Sequence, residues 1–377
     1  MKILLPTGSR KIESYKLVGE PLAVRKPKYA FNRIAFAAAH VVADPLGENA
    51  IDWKGTIAYR RHLLNLGFSI AEAMDTSQRG MGLSWPDALE LVRRSLDDAG
   101  SENAARIYSG CGTDHLADAQ TLDDVTQAYL LQLHAIQKLG GRIILMASRA
   151  LVRVAKSADD YVKVYSRVLQ EADHPVVLHW LGPMFDPALK GYWGSDDFDK
   201  AMATCLETIS ANVKKVDGIK ISLLDAAKEI KMRRLLPPSV KMYTGDDFNY
   251  AELIAGDELG FSHALLGIFD PIAPAASAAL AALAAGKLDQ FHKLLAPTVP
   301  LSRLIFSAPT QYYKTGVVFL AWLNGYQDHF TMIAGAQSAR SLPHFAEVFR
   351  LADQAGLLRK PDIAVKRMKQ MLALYGL

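Results

Sequence analysis

The sequence holds two cysteines, Cys111 and Cys205, in 377 residues. That is too few for a disulfide framework or a cysteine-built zinc site, and it points to a reducing, cytoplasmic compartment. Long apolar runs are missing too. The most apolar stretch, 273–286, is mostly alanine and falls short of the roughly 20 residues that a bilayer span needs. Near the N-terminus the apolar run is just Ile3-Leu4-Leu5, which is not the core of a signal peptide. Nor does one charge dominate: 43 Lys and Arg face 39 Asp and Glu. Seven of the basic residues fall within 1–28, so the body has no positive surplus for a phosphate backbone. Neither nucleic acid nor a membrane is an expected partner. Apolar material is plentiful: half of the residues are hydrophobic and 22% are charged, enough for a large core and unlike a disordered chain.

Residues 1–30 read as an add-on. An apolar run, the turn-forming Pro6-Thr7-Gly8-Ser9 and a roughly alternating 12–17 predict a hairpin. Short apolar runs at 34–42, 68–74, 105–110, 142–147, 176–181, 218–223, 240–244 and 262–268 then alternate with segments long enough for a crossover helix. Eight such units predict an α/β fold, a (β/α)8 TIM barrel over 31–285. One connecting helix can be read in detail. Ser84 with Asp87 three positions on forms a capping box, Pro86 suits the first turn, and Ala88, Leu89, Leu91, Val92 and Leu96 make an apolar stripe ending at Gly100. Residues 286–377 carry helical patterns at 288–295, 312–323, 343–355 and 363–375, a C-terminal helical extension. The alanine-rich 275–285 reads as a close-packed helix.

In a barrel, chemistry gathers at the C-terminal ends of the strands. The sixth strand reads Asp217-Gly218-Ile219-Lys220-Ile221-Ser222-Leu223. Side chains alternate, so Ile219, Ile221 and Leu223 suit the helix layer while Lys220 and Ser222 point into the barrel. Burial lowers a lysine's pKa, and a neutral amine attacks a carbonyl to give a Schiff base. A buried ion pair or a place on the barrel rim is the plainer alternative for Lys220.

The order of the remaining motifs bears on that choice. Strand two runs into Asp75-Thr76-Ser77-Gln78-Arg79-Gly80 and then Leu83-Ser84. Tyr243-Thr244-Gly245-Asp246-Asp247 closes strand seven, and Asp270-Pro271-Ile272-Ala273-Pro274 follows strand eight. The series, with Gly218-Ile219-Lys220, resembles the dihydrodipicolinate synthase / N-acetylneuraminate lyase family of class I aldolase barrels from about Asn32 to Pro274. The resemblance implies that Lys220 is the Schiff-base lysine and that Thr76 and Ser77 hold the carboxylate of a 2-oxo acid. It implies no dissociable cofactor, and a homo-oligomer, often a tetramer. There are departures. His179 stands where the family has its proton-passing tyrosine, Arg79 replaces the loop glutamate, and Asp75 replaces the loop's first glycine. Histidine can move protons near neutrality, although a core histidine is the simpler reading. Dihydrodipicolinate synthesis itself is not expected of this branch.

The leading expectation is therefore a class I lyase, aldolase or dehydratase acting on a 2-oxo acid, sugar acid or keto sugar. Lys220 and His179 would be catalytic, and Thr76, Ser77, Asp246, Glu72 and His40 would bind substrate. A second reading is a metal-dependent isomerase, epimerase or class II-like aldolase, with His40, Glu72, His179 and Asp246 as ligands for Zn²⁺, Mn²⁺ or Mg²⁺. A third is a relative that binds an oxo acid or sugar without turning it over.

Overall fold

The computed structural model describes residues 1–28, 30–48 and 50–377. Strands β1 (Lys2–Pro6) and β2 (Ile12–Lys16) pair antiparallel, with Lys2 opposite Lys16 and Pro6 opposite Ile12. This is the expected hairpin. Eight further strands pair in parallel and close on themselves: β3 (Ala35–Ala38), β4 (Ser69–Glu72), β5 (Ile107–Cys111), β6 (Arg142–Leu145), β7 (Val176–Leu181), β8 (Val216–Ser222), β9 (Lys241–Thr244) and β10 (His263–Leu266). β10 returns to β3, so the sheet has no open edge and every strand has two neighbours. At least one helix follows each strand, which makes the whole a (β/α)8 barrel.

The alternation of side chains divides the apolar residues into two cores. Phe36, Ala71, Tyr108, Ile144, Val177, Tyr243 and Leu265 fill the barrel interior. Ala35, Ile70, Ile107, Ile143, Val176, Ile219 and Ile221 join the larger core between barrel and helices. Phe36 meets Tyr108 edge-on at 4.8 Å and Tyr243 at 5.8 Å, so aromatic rings plug the interior. Asp217 and Arg142, near the N-terminal ends of β8 and β6, bond the hydroxyls of the Tyr243 and Tyr108 rings.

The helix Trp85–Asn103 starts at Ser84 as expected, with the Asp87 amide donating to the Ser84 hydroxyl at 3.3 Å. The capping box is not completed, because the Ser84 hydroxyl itself lies against the Asp87 carboxylate at 2.5 Å. Gly100, with φ 62°, breaks the helical geometry, yet the chain resumes to Asn103. Ala273–Ala284 is a packed helix. Beyond it come Leu288–Leu295, Thr298–Ile305, Tyr313–Leu323, Leu342–Gln354 and Pro361–Leu374. Thr298–Ile305 has no counterpart in the sequence reading.

The N-terminal segment docks on this C-terminal part. Buried Asp353 accepts hydrogen bonds from the Tyr15 hydroxyl (2.8 Å) and from the Val18 (2.8 Å) and Gly19 (3.3 Å) amides. Arg350 donates to the Pro6 carbonyl at 2.8 Å. Among the described residues, no helix is long and apolar enough to cross a membrane.

Candidate active site

Lys220 lies in the middle of β8, level with His179 on β7 and Tyr243 on β9. Its neighbours Ile219 and Ile221 belong to the outer core, so the lysine projects inward as the alternation requires. Two glycines make the space. A Cβ at Gly218 would fall 2.6 Å from the Tyr243 ring, and one at Gly245 would fall 2.8 Å from Lys220 Cε and 2.3 Å from Ser222 Oγ. The glycines of the Gly-Ile-Lys and Gly-Asp-Asp motifs are thus where the lysine stem and the ring beneath it crowd the neighbouring backbone.

Lys220 is 8% exposed and makes no salt bridge or hydrogen bond with any described residue. Burial pushes its amine below the ordinary lysine range, while the charges of Asp247 and Asp75 partly oppose the shift. Asp247 shows the converse. Burial raises its carboxyl to about 7 against the pull of Lys220, and its Oδ1 accepts the Ile268 amide at 2.9 Å. His179 is buried, with Nε2 3.2 Å from the Ser222 hydroxyl and Nδ1 unpartnered. Burial first, and the charge of Lys220 second, hold its pKa well below the usual value, so the imidazole is neutral at neutral pH.

The remaining expected residues divide sharply. Thr76 sits in the turn Asp75–Ser77 at the mouth, its hydroxyl 2.8 Å from that of Tyr313. Ser77 is in the same turn, but its hydroxyl donates to the Ala39 carbonyl at 2.6 Å and is committed there. Asp246 is buried but turned into its own loop, accepting from the Phe248 (2.8 Å) and Asn249 (3.0 Å) amides. The following residue, Asp247, is the one near Lys220. Glu72 corrects the reading more severely: it faces the helix layer. Arg60 of Trp53–Asn65 grips both its oxygens (3.0 and 2.8 Å), Ser95 donates at 2.6 Å and the Ala73 amide at 2.8 Å. His40, past the end of β3, is likewise turned outward onto Asp270 (Nδ1 to Oδ2, 2.8 Å) and the Tyr59 ring. The set His40, Glu72, His179 and Asp246 is therefore not assembled as metal ligands. Among the described residues no three His, Cys, Asp or Glu side chains converge on a metal-sized site.

Two residues at the mouth come from far along the chain. Tyr313, 4% exposed, reaches Thr76 from the helix Tyr313–Leu323 and stacks on Phe306 at 4.4 Å. Its neighbour Lys314 is 5% exposed, donating only to the Gln311 carbonyl (3.1 Å) and the Met81 sulfur (3.4 Å). Burial lowers this second amine to about 8, with Asp75 and Asp186 opposing. Arg79 forms part of the wall. It pairs with Asp114 and donates to the Ala73 and Gly110 carbonyls and to Gln132, tying the loops after β4 and β5 together.

A cavity of about 490 Å³ lies beside this group: His179, level with Lys220, and Asp75 line it together with Arg79, Asp114, Arg149 and Arg153, whereas Lys220 itself is not among the lining residues. The arrangement offers a desolvated amine, a carboxyl that titrates near neutrality and hydroxyls at the mouth. That combination can add an amine to a carbonyl and move protons around the adduct.

Solved structures of similar fold bear on this geometry. Dihydrodipicolinate synthase from Aquifex aeolicus superposes with a TM-score of 0.66 at 13% identity, covering 87% of this chain and 99% of that one. A prophage protein of the dihydrodipicolinic acid synthase family from E. coli K12, in complex with pyruvate, gives 0.68 at 14% identity, covering 87% and 100%. Dihydrodipicolinate synthase from Thermotoga maritima gives 0.64 at 16%, covering 88% and 100%. These likenesses establish a shared fold, in agreement with the resemblance read from the motifs. No curated protein matches the sequence. A family profile does match nearly all of it, residues 3–377, and by that match the chain belongs to the family described as "Protein of unknown function (DUF993)".

Proposed function

We propose that the protein is a class I lyase or aldolase that forms a Schiff base through Lys220 with a 2-oxo acid or a related keto compound. The observation that carries this reading is an inward lysine, free of any salt bridge among the described residues and with a lowered pKa, whose cross-strand neighbour His179 lines a cavity of about 490 Å³. The amine adds to the carbonyl carbon and the oxygen leaves as water. The resulting iminium accepts the electron pair of the neighbouring C–H or C–C bond, giving an enamine and releasing a proton or an electrophilic fragment. Asp247, whose charge acts on Lys220, is the group we assign to take the ammonium proton. Neutral His179 and the Thr76–Tyr313 hydroxyl pair are the further groups able to pass protons. The pyruvate bound in the similar E. coli structure agrees with a small oxo acid as substrate class.

The test is reductive trapping. Borohydride added with pyruvate or 2-oxobutyrate should leave one stable adduct, measured by intact mass and mapped by peptide analysis to Lys220. Absence of an adduct across a panel of oxo acids and keto sugars would refute the reading.

The pH dependence of trapping should depend on Asp247. Its negative charge raises the Lys220 pKa, so removing that charge makes the amine neutral at lower pH. In Asp247→Asn the midpoint of the trapping rate should move down by about one unit or more, the usual size for an opposite charge nearby. An unmoved midpoint would show that Asp247 does not act on the amine.

A further inference from the structure

Six charged residues line the cavity, and four of them neutralise one another. Arg79 holds Asp114, and Arg149 Nε meets Asp186 Oδ2 at 2.5 Å. Asp75 also lines the cavity, and its charge acts on Lys220. That leaves Arg153, which has no ion-pair or hydrogen-bond partner among the described residues. Arg149 and Arg153 lie four residues apart in the helix Arg149–Val154, on one face, and both border the cavity. The helix is fixed in place. Its cap Ser148 accepts the Leu151 amide at 3.0 Å, lies 2.6 Å from the Thr113 hydroxyl, and takes the Tyr192 hydroxyl oxygen on its own amide at 3.1 Å. Leu181, Leu189, Met146 and Ala147 line the same cavity, beside Thr113 and the charged pairs.

We propose that Arg149 and Arg153 form a subsite for a second carboxylate, so that the compound held at Lys220 is a 2-oxo acid with an acidic far end. The inference rests on the Schiff-base reading above and adds the substrate class. Asp186 shows what this helix face accepts: a carboxylate already sits on Arg149, and Arg153 beside it carries an unused guanidinium fork. A guanidinium without a partner among the described residues, in a cavity that His179 also lines, fits the acidic far end of a short chain held at Lys220.

The experiment compares 2-oxoadipate with 2-oxohexanoate, a similar chain without the terminal charge, in borohydride trapping at Lys220. In the wild type the diacid should half-saturate at a concentration about tenfold or more below that of the monoacid, as expected of a charge-assisted contact. Arg153→Ala should remove most of that preference by weakening the diacid alone, with the thermal midpoint unchanged because the side chain is exposed and unpaired. Arg149→Ala should weaken the diacid as well. Equal affinity for the two acids in the wild type, or an undiminished preference in Arg153→Ala, would overturn the subsite. If neither acid is trapped, the Schiff-base reading fails by itself. The subsite is then read by calorimetric titration with adipate: binding that Arg153→Ala abolishes sustains it, and no binding to the wild type overturns it.

Discussion

Lys220→Ala should eliminate the trapped adduct and slow imine-dependent chemistry by about 10³-fold or more, the scale on which loss of a covalent nucleophile is felt. A convenient readout that needs no knowledge of the second substrate is deuterium exchange at C3 of 2-oxobutyrate, which proceeds through the enamine. The protein should still fold. The Lys220 side chain makes no hydrogen bond or salt bridge among the described residues, and removing a buried amine relieves a desolvation cost that the charges of Asp247 and Asp75 only partly offset. Lys314 supplies the sharpest control. It too is buried, with its pKa lowered to about 8, and it lies on the same side of the molecule within reach of the charge of Asp75. If Lys314 were the nucleophile, the adduct would survive in Lys220→Ala and map to Lys314. Retention of more than a few per cent of the exchange rate in Lys220→Ala would likewise end the Lys220 assignment.

The position of Lys220 was legible because strand alternation is local. Ile219 and Ile221 need an apolar layer, and the residue between them must take the other face. The same parity applies to Glu72. Ile70 belongs to the outer core and Ala71 to the interior, so Glu72 falls outward with Ile70. Asp246 lies past the end of β9, and its direction is set by the hydrogen bonds it accepts from the Phe248 and Asn249 amides rather than by the pleat. His40 escaped the rule because it lies beyond the last paired residue of β3, where pleat no longer dictates direction.

All eight barrel strands were readable for a similar reason: each is a short apolar run bounded by helical periodicity. Tyr313 and Lys314 were not. They reach the mouth from more than 230 residues beyond Thr76, through a helix that is buried on every side and so carries no amphipathic stripe to orient it. No spacing along the chain encodes that meeting. It depends on where the C-terminal helices settle against the barrel.

Glu72→Ala should be a stability variant with an intact site. The pair Arg60–Glu72 lies between β4 and the helix Trp53–Asn65, with both side chains almost fully buried. Removing the carboxylate strands a guanidinium whose remaining contacts are backbone carbonyls of Ala39, His40 and Thr56, and leaves the Ser95 hydroxyl without its acceptor. Breaking one side of a buried ion pair typically costs about 3–5 kcal/mol. The urea midpoint should fall accordingly, with the slope of the transition unchanged. Below the unfolding transition the fraction of protein trapped on Lys220 should match the wild type, since Glu72 points away from the cavity. Pairing the change with Arg60→Met should recover much of the loss, because no unpaired charge then remains buried. The opposite pattern, a loss under about 1 kcal/mol together with failed trapping in folded protein, would return Glu72 to the substrate. It would also mean that the outward face of β4 is not as described.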